Sequence, residues 1–437
     1  MFVKVYIALF TIYLAFLGIY WGSWYQRSTR LVNLHMLIVN EDTQVGSVPP
    51  LVGDALWNTT LIPNVAPLAG WRYMSSTEIS ASAAEHKNTV QQEISRLVHH
   101  QKYWAAIWIK PNASYDIYTA MQTLNGSFSA ANSLIECVYE TGRDLLGMNS
   151  YVIPSLLLLE KVFVDSVSST IYPQLLSLVS QDAKSQLFSN STLATNVIMT
   201  KPSFLYLDNR PVIASAAIGP GELGLIYTLV LSFHQYNFGL RITEAIRPKL
   251  KAKHFMYYRV LASQSAFFFI ALVYGLMTLA YQVPLDRAFG NSGFLVYWAI
   301  IYLNLSALGA INECVSQLIM AYDRTLAGYW MVFHVVISIS VTFSPIPLCP
   351  AFYRYGYAMP LRCTYELLKV VLFDTYKGNM WKYFVINVSW IILFNAIMPF
   401  SLKLACKIAI VQQKKAAEQA KKLAEEKQRR LDAKKHE

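Results

Sequence analysis

Apolar and polar positions divide this chain into two kinds of territory. Over residues 5–25, and again over much of 219–405, apolar residues run on every face of a helical wheel, with few charges. About twenty such residues in a row are what a helix needs to cross a bilayer. The predicted spans are Val5–Tyr25, Leu223–Leu240, Val260–Val283, Gly293–Met320, Leu326–Leu348 and Tyr383–Leu402, about six in all. Residues 26–218 hold no run of that kind. Their pattern is that of a folded α+β domain. "HMLIVNED" (His35–Asp42) and "YWAAIWI" (Tyr103–Ile109, stopped by Pro111) read as strands. Ser75–His99 reads as a helix capped by Ser76 or Thr77, with Ile79, Ala83, Val90, Ile94 and Leu97 at helical spacing. Leu156–Ser180 reads as helical around Pro173, and Ser203–Ser215 as a last strand pair turning at Asp208-Asn209. "GPGELG" (Gly219–Gly224) opens the second apolar block as a hinge.

The fold class expected is therefore a polytopic α-helical membrane protein with a large extracytoplasmic α+β domain inserted between the first and second spans. Residues 1–25 form a signal anchor and 26–218 the lumenal or extracellular domain. Residues 219–405 form a five-helix membrane domain with an outer interfacial segment at 349–380. Residues 406–437 form a basic cytosolic tail.

Composition agrees. Only 14% of residues are charged and 54% are hydrophobic, against about 25% charged in soluble domains. The formal charge of +11 is concentrated in Arg241–Arg259 and Lys403–Lys435, both after apolar spans. That is the pattern of cytosolic segments rather than of a nucleic-acid surface. The loop between the third and fourth spans carries only Asp286 and Arg287. This alternation places both termini in the cytosol and residues 26–218 outside; Arg27 and Arg30 alone run against it. Four acceptor sequons, at Asn58, Asn112, Asn125 and Asn190, fall in the same segment and are usable only on the outer side. Asn304 and Asn387 begin sequons within spans and should stay bare.

The candidate chemistry is sparse. "FYRYGYAMP" (Phe352–Pro360) combines four rings with Arg354 and Gly356. Two readings stand: an aromatic anchoring belt, or an interfacial gate built from Phe352, Tyr353, Arg354, Tyr355, Gly356, Tyr357 and Pro360. The following Leu361–Asp374 reads as an amphipathic helix. Leu361, Leu368 and Leu372 enter the membrane, and Arg362, Glu366 and Lys369 face water. His234, Glu313 and His334 are ionisable residues within spans, read either as helix–helix hydrogen bonds or as a polar substrate or proton track. Cys349 and Cys363 flank the aromatic run on the oxidising side, where a disulfide would add roughly 3 kcal/mol. The alternative is two free thiols, and Cys137 would stay unpaired in either case. No P-loop, GxSxG or HExxH run is present, and the adjacent His99 and His100 do not share one helix face. No catalytic, cofactor-binding or metal site is expected. The basic segment Arg241–Arg259 is an orientation signal or a coupling helix for a partner ATPase. The lysine-rich tail is a solvated helix, or is drawn to anionic lipids. Lys434 and Lys435 match a dilysine address read by coat proteins from the cytosol. That favours the endoplasmic reticulum over the plasma membrane.

"CPAFYRYGYAMPLRCTYELLKVVLFDT" resembles the outer loop of the fungal nitrosoguanidine-resistance membrane protein family. "GELGLIYTLVLSFHQYNFG" resembles that family's second span, and "LHMLIVNEDTQVGS" and "QKYWAAIWIKPNAS" resemble the start of its outer domain. The layout is similar to the type-2 permeases of ATP-binding-cassette exporters and to the bacterial phage infection protein group. The resemblance covers most of residues 1–405. It implies a tie to alkylating-mutagen resistance and membrane lipid asymmetry, with no settled biochemical activity. The family's long cytosolic N-terminal extension has no counterpart here, and the basic tail is this chain's own. The expected function is a permease-like protein acting on lipids or hydrophobic toxicants, alone or with a partner transporter. The alternative is a non-transporting scaffold or regulatory subunit whose lumenal domain binds a partner.

Overall fold

The computed structural model describes residues 2–435. Helix α1 (Phe2–Gly22) comes first and ends in a short turn. Arg27 follows, and it is buried. Its guanidinium lies 3.8 Å over Trp24 and donates to the Ser23 carbonyl, the Ser344 hydroxyl and the Tyr151 hydroxyl. Arg30 donates to the carbonyls of Tyr25 and Gln26. The two arginines that oppose the expected orientation are thus held by the fold, and Arg27 is no loop charge.

The next segment is a layered α/β domain, not a segregated α+β one. It runs β1 (His35–Asn40), α2 (Leu51–Thr60), β2 (Gly70–Ser75), α3 (Ser76–Glu85), α4 (Val90–His99), β3 (Ala105–Ile109) and α5 (Ala113–Thr123). Then come β4 (Ile135–Tyr139), α6 (Ile153–Thr170), α7 (Tyr172–Leu178), α8 (Gln181–Ser189) and β5 (Phe204–Asp208). The strand order is β2-β1-β3-β4-β5, and only the β3–β4 pairing is antiparallel. Parallel neighbours require crossovers, which place helices on the sheet's faces. Alternation along β1 shows both faces covered. Met36 and Ile38 pack with Leu56, Ile117, Leu159 and Phe163 on one side, and Leu37 and Val39 with Ile79, Ile94 and Leu97 on the other.

Three expectations change here. The single helix over Ser75–His99 is two, because Thr89 starts a second capping box with Gln92. The first cap is Ser75, reciprocated by Glu78. The last strand pair is one strand. Asp208 turns the chain by accepting from the Thr141 hydroxyl and the backbone N–H groups of Thr141 and Arg210. Pro211 has no N–H for a returning ladder.

The "GPGELG" hinge is a π-turn leading into α9 (Gly224–Ile246). Its glycines have dinucleotide-loop spacing but do not directly follow a strand, so the context for that chemistry is missing. They serve packing instead: the Tyr274 hydroxyl closes on Gly224 and donates to the Pro220 carbonyl at 2.9 Å. Helices α10 (Ala252–Ala280), α11 (Gly293–Tyr322), α12 (Ala327–Thr342), α13 (Pro360–Phe373) and α14 (Met380–Lys435) complete the bundle. Among the described residues, five helices, α9 to α12 and α14, are long and apolar enough to cross a membrane. The shorter apolar stretch Leu9–Gly22 of α1 packs Phe16 against Phe333 of α12. The tail is one helix with the last span, without a break at residue 405.

The two ends of the bundle differ. At the start of α9, Gly221 and Glu222 meet α13, whose Lys369 donates to the Arg143 carbonyl of the sheet domain at 2.6 Å. The far end of α9, about 34 Å on at 1.5 Å per residue, leads into the exposed Arg247, Lys249 and Lys251. The sheet domain and the basic connection therefore occupy opposite ends.

Within the sheet domain, fully buried Glu93 ties α3 to α4. It accepts from Arg96 (2.6 and 2.8 Å), Ser82 (2.7 Å) and Asn88 (2.9 Å). The Arg96 guanidinium holds its carboxyl down at about 2, against the opposing effect of burial. Glu93→Gln should cost about 2–3 kcal/mol of local stability, read as faster hydrogen exchange across α3–α4. A depressed carboxylate stabilises above its ordinary range, so protection should fall as pH drops from 4.5 towards about 2.

Candidate functional site

Helix α11 is the axis of the bundle, and its polar side chains tie it to each of its neighbours. Asn304 donates to Thr228 of α9 at 2.7 Å and accepts from Thr364 of α13 at 3.2 Å. Ser306 and Tyr302 both donate to Gln264 of α10 at 2.8 Å. Asn312 donates to Ser232 of α9 and accepts from Trp330 and His334 of α12, the last at 2.8 Å. Gln317 donates to Ser401 of α14 at 2.6 Å, and Ser401 donates to the Cys314 carbonyl. Each pairing satisfies groups that lipid would leave bare.

The strongest element of this seam is ionic. Arg259 of α10 pairs with Glu313 through Nη2 and Nε, the latter at 2.6 Å, and Ser263 donates to the same carboxylate at 3.0 Å. Both charges are nearly sealed, and Arg259 lies 5.4 Å over the Tyr236 ring. Arg259 closes the basic segment Arg241–Arg259 in sequence, and the structure corrects its place there: it is a buried partner of Glu313, while Arg241, Arg247, Lys249, Lys251 and Lys253 stay exposed. Two cavities flank the pair, of about 520 Å³ and 180 Å³, and both are lined by Tyr236, Thr243 and Arg259.

Of the three intramembrane residues singled out from sequence, Glu313 and His334 join this seam. Half-buried His234 lies apart, stacked on Phe238 and edge-on to Phe233. No apolar-run argument points to Arg259, because it sits at the junction of a basic loop and a span. Only the unpaired acid at Glu313 signals that a buried cation is needed.

The aromatic run proves to be a clamp. Its 3-10 turn (Ala351–Ala358) buries Tyr353 and Gly356 and exposes Phe352, Arg354 and Tyr357. Tyr353 donates to the Ile19 carbonyl of α1 at 2.6 Å, and Tyr355 to the Ile337 carbonyl of α12 at 2.9 Å. A side chain at position 356 would press on Val341 and Ile346. Pro360, also buried, starts α13.

Helix α13 corrects the amphipathic surface helix expected there. All its residues except Arg362 and Glu366 are buried, and even those two side chains are 12% and 11% exposed. The three charges turn on each other instead of on water. Glu366 accepts from Arg362 at 3.2 Å and Lys369 at 2.9 Å, and Arg362 also donates to the Val341 and Ser344 carbonyls. Burial pushes the Glu366 carboxyl up, but Lys369 and Arg362 outweigh it and hold it below its ordinary range.

Of the two readings of Cys349 and Cys363, the structure has the free thiols and not the disulfide. Cys349 and Cys363 are free thiols with separate partners. Cys349 points at the carbonyls of Ser23 and Pro345, Cys363 at that of Tyr357. Each is enclosed by its own carbonyls, which draws them apart. The four sequon asparagines are all exposed on the sheet domain, while Asn304 and Asn387 are fully buried in the bundle. Lys434 and Lys435 close α14, and His436 and Glu437, which complete the dilysine signature, lie outside the described residues.

A family profile described as protein of unknown function matches residues 5–396, from α1 through most of the last span. The chain belongs to the DUF3533 family. It is similar to an uncharacterized endoplasmic reticulum membrane protein of Saccharomyces cerevisiae, with 29% identity over 396 residues, 89% of this chain and 76% of the relative. No solved structure matches it. The match takes in both the sheet domain and the α11 seam. The apolar helices, together with the similarity to a membrane protein of yeast, support a membrane protein.

Removing one partner of a buried ion pair strands the other charge, typically at 3–5 kcal/mol. Arg259→Met should therefore lower the detergent unfolding temperature sharply, and Arg259→Met with Glu313→Leu should recover most of the loss. Equal loss in the single and double variants would mean that the pair is not the stabilising element.

Proposed function

We propose that this DUF3533 protein is a permease-like, multi-pass protein of the endoplasmic reticulum membrane that moves lipids or hydrophobic toxicants, or modulates a transporter that does. The observation that carries this reading is the junction of the polar α11 seam with a cavity at the basic end of the bundle. The cavity stops at the Arg259–Glu313 pair. Beyond the pair, towards the sheet domain, the bundle is filled by Tyr297, Ile300, Ile301 and Leu305, all fully buried. A bundle open at one end and packed at the other, with a paired charge between, is one half of an alternating-access cycle. The resemblance of the aromatic run to a mutagen-resistance family, and of the layout to exporter permeases, supports the same substrate class. The yeast relative supports the location.

The sidedness belongs to the same proposal. The exposed sequons and the basic connection lie at opposite ends of the bundle, which supports a lumenal sheet domain, a sixth span at α1 and a cytosolic tail. The filled half of the bundle also favours a second reading, a non-transporting scaffold that presents the sheet domain to a partner.

Glycosidase treatment should lower the apparent mass of the protein stepwise. Substituting glutamine at Asn58, Asn112, Asn125 and Asn190 should remove the steps one at a time. A mass insensitive to glycosidase in all forms would overturn the sidedness.

Reconstituted in liposomes, the full chain should speed transbilayer movement of a labelled lipid, alone or with a candidate ATPase. The double variant Arg259→Met with Glu313→Leu, in which neither charge is left stranded, should slow that movement while the protein stays folded. No movement under either condition would favour the scaffold.

A further inference from the structure

We propose that the cavity at the basic end of the bundle is a binding site for an anionic glycerophospholipid. It rests on the reading above only for the placement of the bundle in a bilayer. The cavity, of about 520 Å³, lies between α9, α10, α11 and α14. Its walls carry Leu240, Phe255, Met320 and Leu402, which suit a glycerol backbone and the first acyl carbons. Its rim carries two arginines. Arg247 is exposed and touches only the weak acceptor Cys406 Sγ. Arg324 is 76% exposed and lies 3.6 Å from Glu244, itself 59% exposed. So solvated and distant a pair is weak, and leaves Arg324 available to a phosphate.

Three further observations select the ligand. The cavity's deepest charge, Arg259, is cancelled by its partner Glu313, and Glu244 offsets only one of the two rim arginines. The exposed Lys249, Lys251, Lys253, Lys403 and Lys407 surround the same end, so the local field favours an anion. Second, Gln317 is 5% exposed and lines the cavity. Its Nε2 is used on Ser401, but its buried Oε1 has no hydrogen-bond partner. A buried acceptor left bare is costly, and a turn of the Gln317 amide towards the cavity it lines would let a ligand hydroxyl or ammonium satisfy it. Third, the site is open to one side and sits where span meets basic segment, at headgroup depth. Phosphate on the rim, a donor group on Gln317 and chains on apolar walls describe an anionic phospholipid whose headgroup bears a donor.

The test uses the purified full chain in phosphatidylcholine nanodiscs. Photoactivatable phosphatidylinositol and phosphatidylcholine probes are compared, with cross-linked peptides mapped by mass spectrometry. The inositol lipid should label peptides of α9 and of α14 near Cys406, in preference to phosphatidylcholine. Arg247→Gln and Arg324→Gln should each reduce that labelling about fivefold, and Arg354→Gln on the far side of the bundle should not. Soluble glycerophosphoinositol in excess should compete poorly, because it lacks the chains. Equal labelling by both lipids, labelling confined to other helices, or labelling unchanged in the folded double arginine variant would each overturn the proposal. Full competition by the soluble headgroup would overturn the lipid as ligand. Labelling that persists in a protein without transport activity would uphold this site and count only against the permease reading.

Discussion

The bundle is governed by one constraint: a polar or charged side chain in hydrocarbon must bring its partner with it. Helix α11 meets that constraint at most of its polar positions, Ser316 Oγ and Gln317 Oε1 being left bare, and distributes the solution in space. Its amides, its carboxylate and its hydroxyls find α9, α10, α12, α13 and α14 in turn, each at its own level. Apolar packing alone would not fix how these helices rotate about one another, because lipid tails are as apolar as leucine. The polar pairs supply the register. Apolar lining then fills the gaps, as where the Phe267 ring lies in the space that Gly309 leaves open.

The same logic joins the two halves of the molecule. Helix α13 carries three charges into a buried place, and they are tolerable because Glu366 is shared by the two cations Arg362 and Lys369, which also reach backbone carbonyls from both halves. Lys369 takes the sheet domain's Arg143 carbonyl, and Arg362 takes the carbonyls that end α12. Arg27 does the same from the other side, joining the end of α1 to Ser344 and to Tyr151 of the sheet domain. Tyr353 adds a bond from the clamp to α1. A shift of the sheet domain would thus strand Lys369 and Arg27, so motion of that domain and motion of α12 and α13 are linked.

How much of this could be read from the residues alone follows the same physics. The apolar runs named the bundle helices to within a few residues at most ends, and β1 and β3 showed as buried strands. Edge strand β2, "GWRYMS", has neither apolar alternation nor burial to mark it. β4 was missed because Glu136 interrupts it, although Lys110 neutralises that charge at 2.7 Å. The larger misreading was α13. Its pattern of leucines and charges has the form of a surface helix, and no local signal tells a charge facing water from one facing a buried partner. The partners lie 220 residues away or more in the sheet domain, or in the carbonyls of a helix end, which sequence spacing does not encode. Glu313 and His334 were visible because an ionisable residue inside an apolar run is conspicuous in itself. Arg259 was hidden by the basic residues around it.

What separates transport from scaffolding is the asymmetry along α11. Below the Arg259–Glu313 pair the helices part into cavities. Above it, Tyr297 holds Thr278 at 3.1 Å and apolar side chains close the space. A pure scaffold gains nothing from a void beside a buried ion pair, since the void forfeits packing and leaves Gln317 Oε1 bare. A protein that must let an amphiphile approach a paired charge does gain from it: the pair is stable while the ligand is absent, and an arriving phosphate or donor competes for its members. Under the proposed permease reading, the ion pair is both the element that locks the closed half and the one a ligand at the basic end is placed to loosen. That dual position, rather than the polarity of the seam as such, is what the proposal of a gate at Arg259 and Glu313 rests on.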